Sequence, residues 1–182
     1  MWNIFRLGTA QWMKISRWRQ LKKILVISDN HGYTHQLREV IDREMPFDLF
    51  LHCGDGECSK SEYERLLPPL MASIYLKGNC DFLPLRQAAR FALDGVEIFA
   101  VHGHKHAVKQ GCSVLEYEAG KQGAQLVCYG HTHRAEIHET DGMTFVNPGS
   151  FTGYHSPTRS TYAVVEIEDG QVLHAEIKHT EI

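Results

Sequence analysis

Five short apolar or β-prone runs in this chain each deliver, just past their carboxyl end, a residue able to bind a metal ion. Ile24 to Ser28 leads into Asp29-Asn30-His31, Asp48 to His52 into Asp55, and Ser73 to Leu76 into Asn79. Val96 to Val101 leads into His102, and Gln125 to Tyr129 into His131-Thr132-His133. Polar groups at the ends of adjacent buried strands can converge on one rim of a sheet. A lone Asp or Asn in such a place is more simply a turn former or helix cap, and a lone His an exposed imidazole. Five in series specify a site.

The runs alternate with helical patterns. Leu37, Val40 and Ile41 recur at helical spacing across residues 34–44, between a strand over 23–28 and a second over 48–52. Ser61-x-x-Glu64 reads as a capping box opening a helix whose apolar face is Tyr63, Leu66, Leu67 and Leu70, ended by Pro68 and Pro69. A third strand near 73–77 completes a β-α-β-α-β pattern, which favours parallel pairing with right-handed crossovers. Beyond it, Asp94-Gly95, Asp141-Gly142 and Asp169-Gly170 predict three hairpin turns, and Ser113-x-x-Glu116 predicts another helix cap. Parallel strands followed by a mostly antiparallel half imply an α/β fold: a two-sheet β-sandwich flanked by helices.

At 182 residues, 43% hydrophobic and 23% charged, the chain fits one soluble domain with a full core and no second one. No apolar run approaches the roughly 20 residues that span a bilayer. The five cysteines (Cys53, Cys58, Cys80, Cys112 and Cys128) follow no zinc spacing and suggest a reducing, cytoplasmic setting without disulfides. The net charge of −3 gives no general case for nucleic-acid binding, yet it is unevenly spread. Residues 1–23 carry six basic side chains and no acid, while residues 24–182 carry 13 basic against 22 acidic, a charge near −9. So acidic a body needs bound cations to attract a phosphate anion. Residues 1–20 also hold all three tryptophans, Trp2, Trp12 and Trp18. They read as a dispensable or misassigned leader ahead of a domain spanning 21–182, as a targeting peptide, or as an arm that docks to a partner, a membrane surface or a second copy in a homo-oligomer.

Asp29-x-His31 and His131-x-His133 each space two ligands two residues apart, so that in an extended segment both reach one side. Carboxylate, amide oxygen and imidazole together suit Mn²⁺, Fe²⁺ or Zn²⁺ better than Ca²⁺ or Cu⁺. Seven ligands exceed one tetrahedral site but fit two ions sharing a carboxylate. Such a pair clamps an in-line displacement at phosphorus, and a bridging water there loses its proton near neutral pH.

In order, Asp29-Asn30-His31-Gly32, Gly54-Asp55-Gly56, Gly78-Asn79-Cys80-Asp81, His102-Gly103-His104 and Gly130-His131-Thr132-His133 resemble the motifs of the calcineurin-like metallophosphoesterase superfamily. Within it the chain is similar to the small YfcE-type phosphodiesterases. The resemblance implies a four-layer α/β/β/α sandwich that hydrolyses phosphodiesters or other small phosphate esters with two divalent ions, manganese first, or nickel, iron or zinc. It implies that one ion takes Asp29, His31 and His133, the other Asn79, His102 and His131, with Asp55 bridging. His104 is then a candidate for contacting substrate phosphate or the leaving group. Many relatives place a His after the G-N pair to assist the leaving group; here Cys80-Asp81 stands there, leaving Asp81 or His104 as the candidate proton donor. The alternatives are a protein-interaction scaffold, as in the retromer subunit of this fold, and a nuclease guided by the basic leader.

Overall fold

Alternation along β1 (Lys22–Ile27) divides the chain's first apolar run between two cores. Ile24 and Val26 face one cluster of buried side chains, Leu25 and Ile27 another. The computed structural model describes residues 21–153, 156 and 159–180, so the expectations for the leader lie outside the described residues.

After β1 come α1 (Leu37–Glu44), β2 (Leu49–His52), α2 (Lys60–Leu66) and β3 (Ala72–Tyr75). β4 (Ala88–Leu93) and β5 (Val96–Val101) follow as a hairpin, then α3 (Ser113–Lys121), β6 (Leu126–Cys128), β7 (Ala135–Thr140) and β8 (Met143–Pro148). β9 (Thr161–Glu168) and β10 (Gln171–His179) close the chain. One sheet has the order β10-β9-β1-β2-β3 and the other β4-β5-β6-β8-β7.

The two sheets enclose the central core, where Ile24, Val26 and Leu51 meet Ile98, Ala100 and Leu126. On the outer face of the first sheet, Phe50 packs with Leu37 and Ile41 of α1 and Tyr63 of α2. On the outer face of the second, Phe99, Val127 and Phe145 pack with Leu115 and Ala119 of α3. The result is the expected α/β/β/α arrangement. Burying each large apolar side chain contributes roughly 1.5–3 kcal/mol, so strand alternation alone locks the register.

Two local expectations are corrected and one is refined. The second half is mostly antiparallel as expected, β4 pairing with β5, β7 with β8, and β9 with both β1 and β10, but β5, β6 and β8 run parallel at the centre of their sheet. The crossover through α3 brings the chain back in the same direction, as a parallel pair requires. The capping box lies two residues earlier than expected, with Ser59 and Glu62 satisfying each other's backbone N–H groups. Glu64 instead pairs with Lys60, and Leu70 is fully exposed beyond the helix. Ser113 opens α3 without capping it; Cys112 occupies the cap position and makes no side-chain bond there. The three Asp-Gly hairpins form as expected, each with both turn residues at positive φ.

Candidate metal centre

The site lies past the carboxyl ends of β1, β2 and β3 in one sheet and of β5 and β6 in the other. The paired ligands do not converge by strand alternation, as the sequence suggested. Asp29 (φ 55°), His31 (φ 44°), His131 (φ 69°) and His133 (φ 58°) all sit in the left-handed region, so each pair turns inward through a tight loop. Asp55 (φ 52°) and Glu57 (φ 53°) do the same. Each such residue costs on the order of 1–3 kcal/mol, strain that the surrounding sandwich must hold.

Two groups form. In the first, His133 Nε2 lies 3.1 Å from Asp29 Oδ1 and 3.4 Å from His31 Nε2. In the second, donor atoms of Asp55, His102 and His131 all lie within 4.8 Å of one another. Asn79 joins this group, its Oδ1 being 3.2 Å from His102 Nε2. The groups adjoin, because the His131 backbone N–H donates to Asp29 Oδ2 (3.1 Å) and the His31 N–H to the Asp55 carbonyl (3.0 Å).

Hydrogen bonding settles the state of His102. Its Nδ1 lies 2.8 Å from the Cys53 carbonyl, which can only accept, so Nδ1 carries hydrogen. Nε2 then faces Asp55 Oδ2 at 3.3 Å and Asn79 Oδ1 at 3.2 Å. Three acceptors crowd one point unless a proton or a metal cation sits among them. The same demand shows in the His102 pKa: burial would lower it, but the carboxylates of Asp55 and Asp29 and the Cys53 carbonyl raise it. In the other group Asp29 Oδ1 is buried and receives no hydrogen bond of acceptable geometry, even with His133 3.1 Å away. Oxygen and imidazole donors so placed fit divalent cations.

The remaining electrostatics follow from burial and neighbours. Burial would raise Asp29, but its close contact with His133 and the charge of His102 hold it below the usual carboxylate range. Asp55 is likewise depressed, by His102 and the backbone N–H of Cys80 acting against burial. Burial, then His102 and Lys109, push His131 down to about 4, leaving its imidazole neutral as a ligand must be.

The two candidates for proton transfer are placed differently. His104 opens a single 3-10 turn and lies beside the second group, its ring 5.3 Å from that of His102 and 6.1 Å from that of His131. Burial and the charge of His102 lower its pKa. Asp81 is buried below the loops, and its oxygens accept from the backbone N–H groups of Asp55 (2.9 Å), Gly78 (2.8 Å) and Glu57 (2.8 Å).

Several contributors escape sequence reasoning. Glu57 Oε1 lies 2.6 Å from His31 Nδ1; its place two residues after Asp55 was the available signal. His52, in an apolar run and pushed down to about 4 mainly by burial, accepts the Gly54 N–H and binds Asn30 Oδ1 at 2.7 Å. Tyr63 donates to the same Asn30 oxygen, bracing the residue between Asp29 and His31. Asn147 donates to the Gly130 carbonyl and to Thr132, steadying the loop that carries both terminal imidazoles.

A sandwich whose adjoining strand ends present carboxylate, amide and imidazole groups defines a metallophosphoesterase. The chain belongs to the calcineurin-like phosphoesterase superfamily, whose domain matches residues 23–170. It is 34% identical over 148 residues to the probable metallophosphoesterase YsnB of Bacillus subtilis, covering 80% of this chain and 85% of that one. It is 26% identical over 148 residues to the phosphodiesterase MJ0936 of Methanocaldococcus jannaschii, covering 72% and 86%. Among solved structures, the predicted phosphoesterase of Streptococcus pneumoniae superposes with a TM-score of 0.76 at 27% identity, over 88% of this chain and 91% of that one. Family membership makes the chain a phosphoester hydrolase by class and implies divalent metal ions. Among the described residues no helix is long and apolar enough to cross a membrane.

Proposed function

We propose that the protein is a divalent-metal-dependent phosphodiesterase with a binuclear centre. Asp29, His31 and His133 would hold one ion, Asn79, His102 and His131 the other, and Asp55 would stand between them. The observation that carries this reading is the meeting of His102 Nε2, Asp55 Oδ2 and Asn79 Oδ1 with no hydrogen among them unless His102 is protonated. Divalent ions held there supply Lewis acidity toward phosphoryl oxygen and ionise a water near neutral pH. Manganese is the preferred occupant, with nickel, iron or zinc as alternatives.

The protein's own residues do the rest. His102 is held in one tautomer by the Cys53 carbonyl, so its ligand nitrogen points inward without rearrangement. His104, kept neutral, offers a hydrogen bond to a phosphate oxygen or to the leaving group. Asp81 is a clamp rather than an acid, because both its oxygens are taken by backbone N–H groups. The Cys80 thiol, pushed up to about 11 mainly by burial and by Asp55, stays protonated and is too weak an acid to replace an imidazolium. Esters with good leaving groups should therefore react best.

Hydrolysis of bis-p-nitrophenyl phosphate with Mn²⁺ tests the proposal. Asp55→Ala should lose several kcal/mol of transition-state stabilisation, on the order of 10³-fold in rate. Equal activity in variant and wild type would remove the centre from the reaction. A complete absence of hydrolysis by a metal-loaded wild type would favour the scaffold reading.

A further inference from the structure

A cleft of about 680 Å³ opens beside the metal centre, lined by Val108, Lys109, Tyr129, Thr132, Arg134 and Glu136. Thr132 stands between His131 and His133 in the chain, so one wall of the cleft is the loop that carries both imidazoles. That wall is braced: Thr132 Oγ1 accepts from the Arg134 backbone N–H (3.1 Å) and from Asn147 Nδ2 (3.0 Å). Val108 and Lys109, also in the lining, lie two and three residues beyond the His104–His106 turn. The cleft therefore draws its lining from the segments that carry His104 and the His131–His133 pair.

Its charge is out of keeping with the rest of the molecule. Lys109 and Arg134 are exposed, and among the described residues no carboxylate pairs with either. Among the described residues Glu136 is the one carboxylate of the cleft; it accepts from the Tyr129 hydroxyl at 3.3 Å and lies 3.6 Å from His138 Nδ1. Two cations against one carboxylate leave the cleft net positive on a body whose charge from residue 24 onward is near −9. They are not needed to hold the scissile phosphate, which belongs to the metal pair. Their place is one loop further out, where the rest of an ester substrate must lie.

We propose that this cleft binds an anionic substituent of the substrate, so that the favoured ester carries a second negatively charged group beyond the phosphorus under attack. The proposal rests on the phosphodiesterase reading of the adjoining centre. A guanidinium and an ammonium recognise carboxylate and phosphate through the same charge-assisted hydrogen bonds. The buried side chains of Tyr129 and Val108 add apolar surface to the lining.

Three p-nitrophenyl phosphodiesters with one chromogenic leaving group separate the terms: the second alcohol is ethanol, glycolate or 2-phosphoethanol. Wild type with Mn²⁺ should favour the two anionic esters over the ethyl ester by about tenfold or more in kcat/KM, chiefly through KM. The better of the two identifies the anion. In Lys109→Gln/Arg134→Gln the ratio of anionic to ethyl ester should fall at least about tenfold. An unchanged ratio, or a wild-type preference for the ethyl ester, overturns the proposal. Should none of the three be hydrolysed, the phosphodiesterase reading fails, and calorimetric titration of metal-free protein with inorganic diphosphate still decides the cleft. Binding about tenfold weaker in the double variant supports it, whereas equal affinity or no binding to wild type overturns it.

Discussion

Asp81 Oδ2 accepts the backbone N–H of Asp55 at 2.9 Å, so the carboxylate-bearing residue of the second ligand group is held by a carboxylate from the next motif along the chain. Asp81→Ala would strip the acceptor from three N–H groups at once, those of Asp55, Glu57 and Gly78. Each unsatisfied donor costs about 1–3 kcal/mol, so a loss of about 3 kcal/mol or more is expected, with reduced metal content. Urea unfolding and metal analysis read both. Native stability and metal content in Asp81→Asn, with slow turnover confined to poor leaving groups, would instead make Asp81 the proton donor.

Gly78 tests the steric side of the same contact. Its φ is not in the left-handed region, so alanine is allowed there by backbone conformation. A Cβ would nonetheless overlap the Asp55 carboxylate and its backbone nitrogen. Gly78→Ala should weaken metal binding by about 10–100-fold while leaving the far-ultraviolet circular dichroism unchanged. Wild-type affinity by competition with a chelating dye would show that the Asp55 loop is free to move.

Glu44 carries a pH-dependent share of stability remote from the site. Its carboxylate is buried and accepts from Lys23 Nζ (2.7 Å), Tyr162 OH (2.8 Å) and Lys178 Nζ (3.1 Å). Burial alone would raise its pKa, but the bonds from Lys23, Tyr162 and Lys178 together hold it below the ordinary value of 4.5. A depressed folded pKa means that the stabilisation is complete above about 4.5 and is lost as pH falls through the folded value. Glu44→Gln should cost about 1–3 kcal/mol at pH 7 by removing the buried carboxylate that pairs with the half-buried ammonium groups of Lys23 and Lys178. The gap between variant and wild type should narrow steadily below pH 4 in urea titrations; a gap independent of pH would contradict it.

Metal should act as a stabiliser by mass action. Manganese at 100 times its dissociation constant adds about 2.7 kcal/mol, worth roughly 5–10 °C in melting temperature for a domain of this size. Differential scanning fluorimetry should show that rise in wild type and its reversal by chelator, and neither in Asp29→Ala or Asp55→Ala. A rise of equal size in both variants would place the ions elsewhere.

Much of this was legible in the chain, for physical reasons that also explain the misses. Strand alternation announces the two-sided burial of residues 24–27, and Asp-Gly pairs announce hairpins, because both signals are local. Sheet membership is not local: nothing near β9 says that it pairs with β1, 130 or more residues away, instead of with β8. The capping box of α2 was misplaced because two Ser-x-x-Glu spacings, Ser59 to Glu62 and Ser61 to Glu64, overlap there. Of the site, the residue types were readable and the structure gathers those side chains into two clusters, but the reason given for the pairs was not. Left-handed turns, not extended backbone, bring His31 and His133 inward. Asn30, His52 and Tyr63 stayed hidden because a buried polar network leaves no periodic trace.

The division of ligands between the two sheets gives the apolar layer a second duty. Asp29, His31, Asp55 and Asn79 ride on one slab, His102, His131 and His133 on the other. Sliding one slab over its neighbour by a single residue step, about 3.3 Å, would pull the two halves of the cage out of reach. The interdigitated side chains of Val26, Leu51, Ile98 and Leu126 thus act as an alignment key, and loosening that grease-filled joint would blunt chemistry far from any ligand.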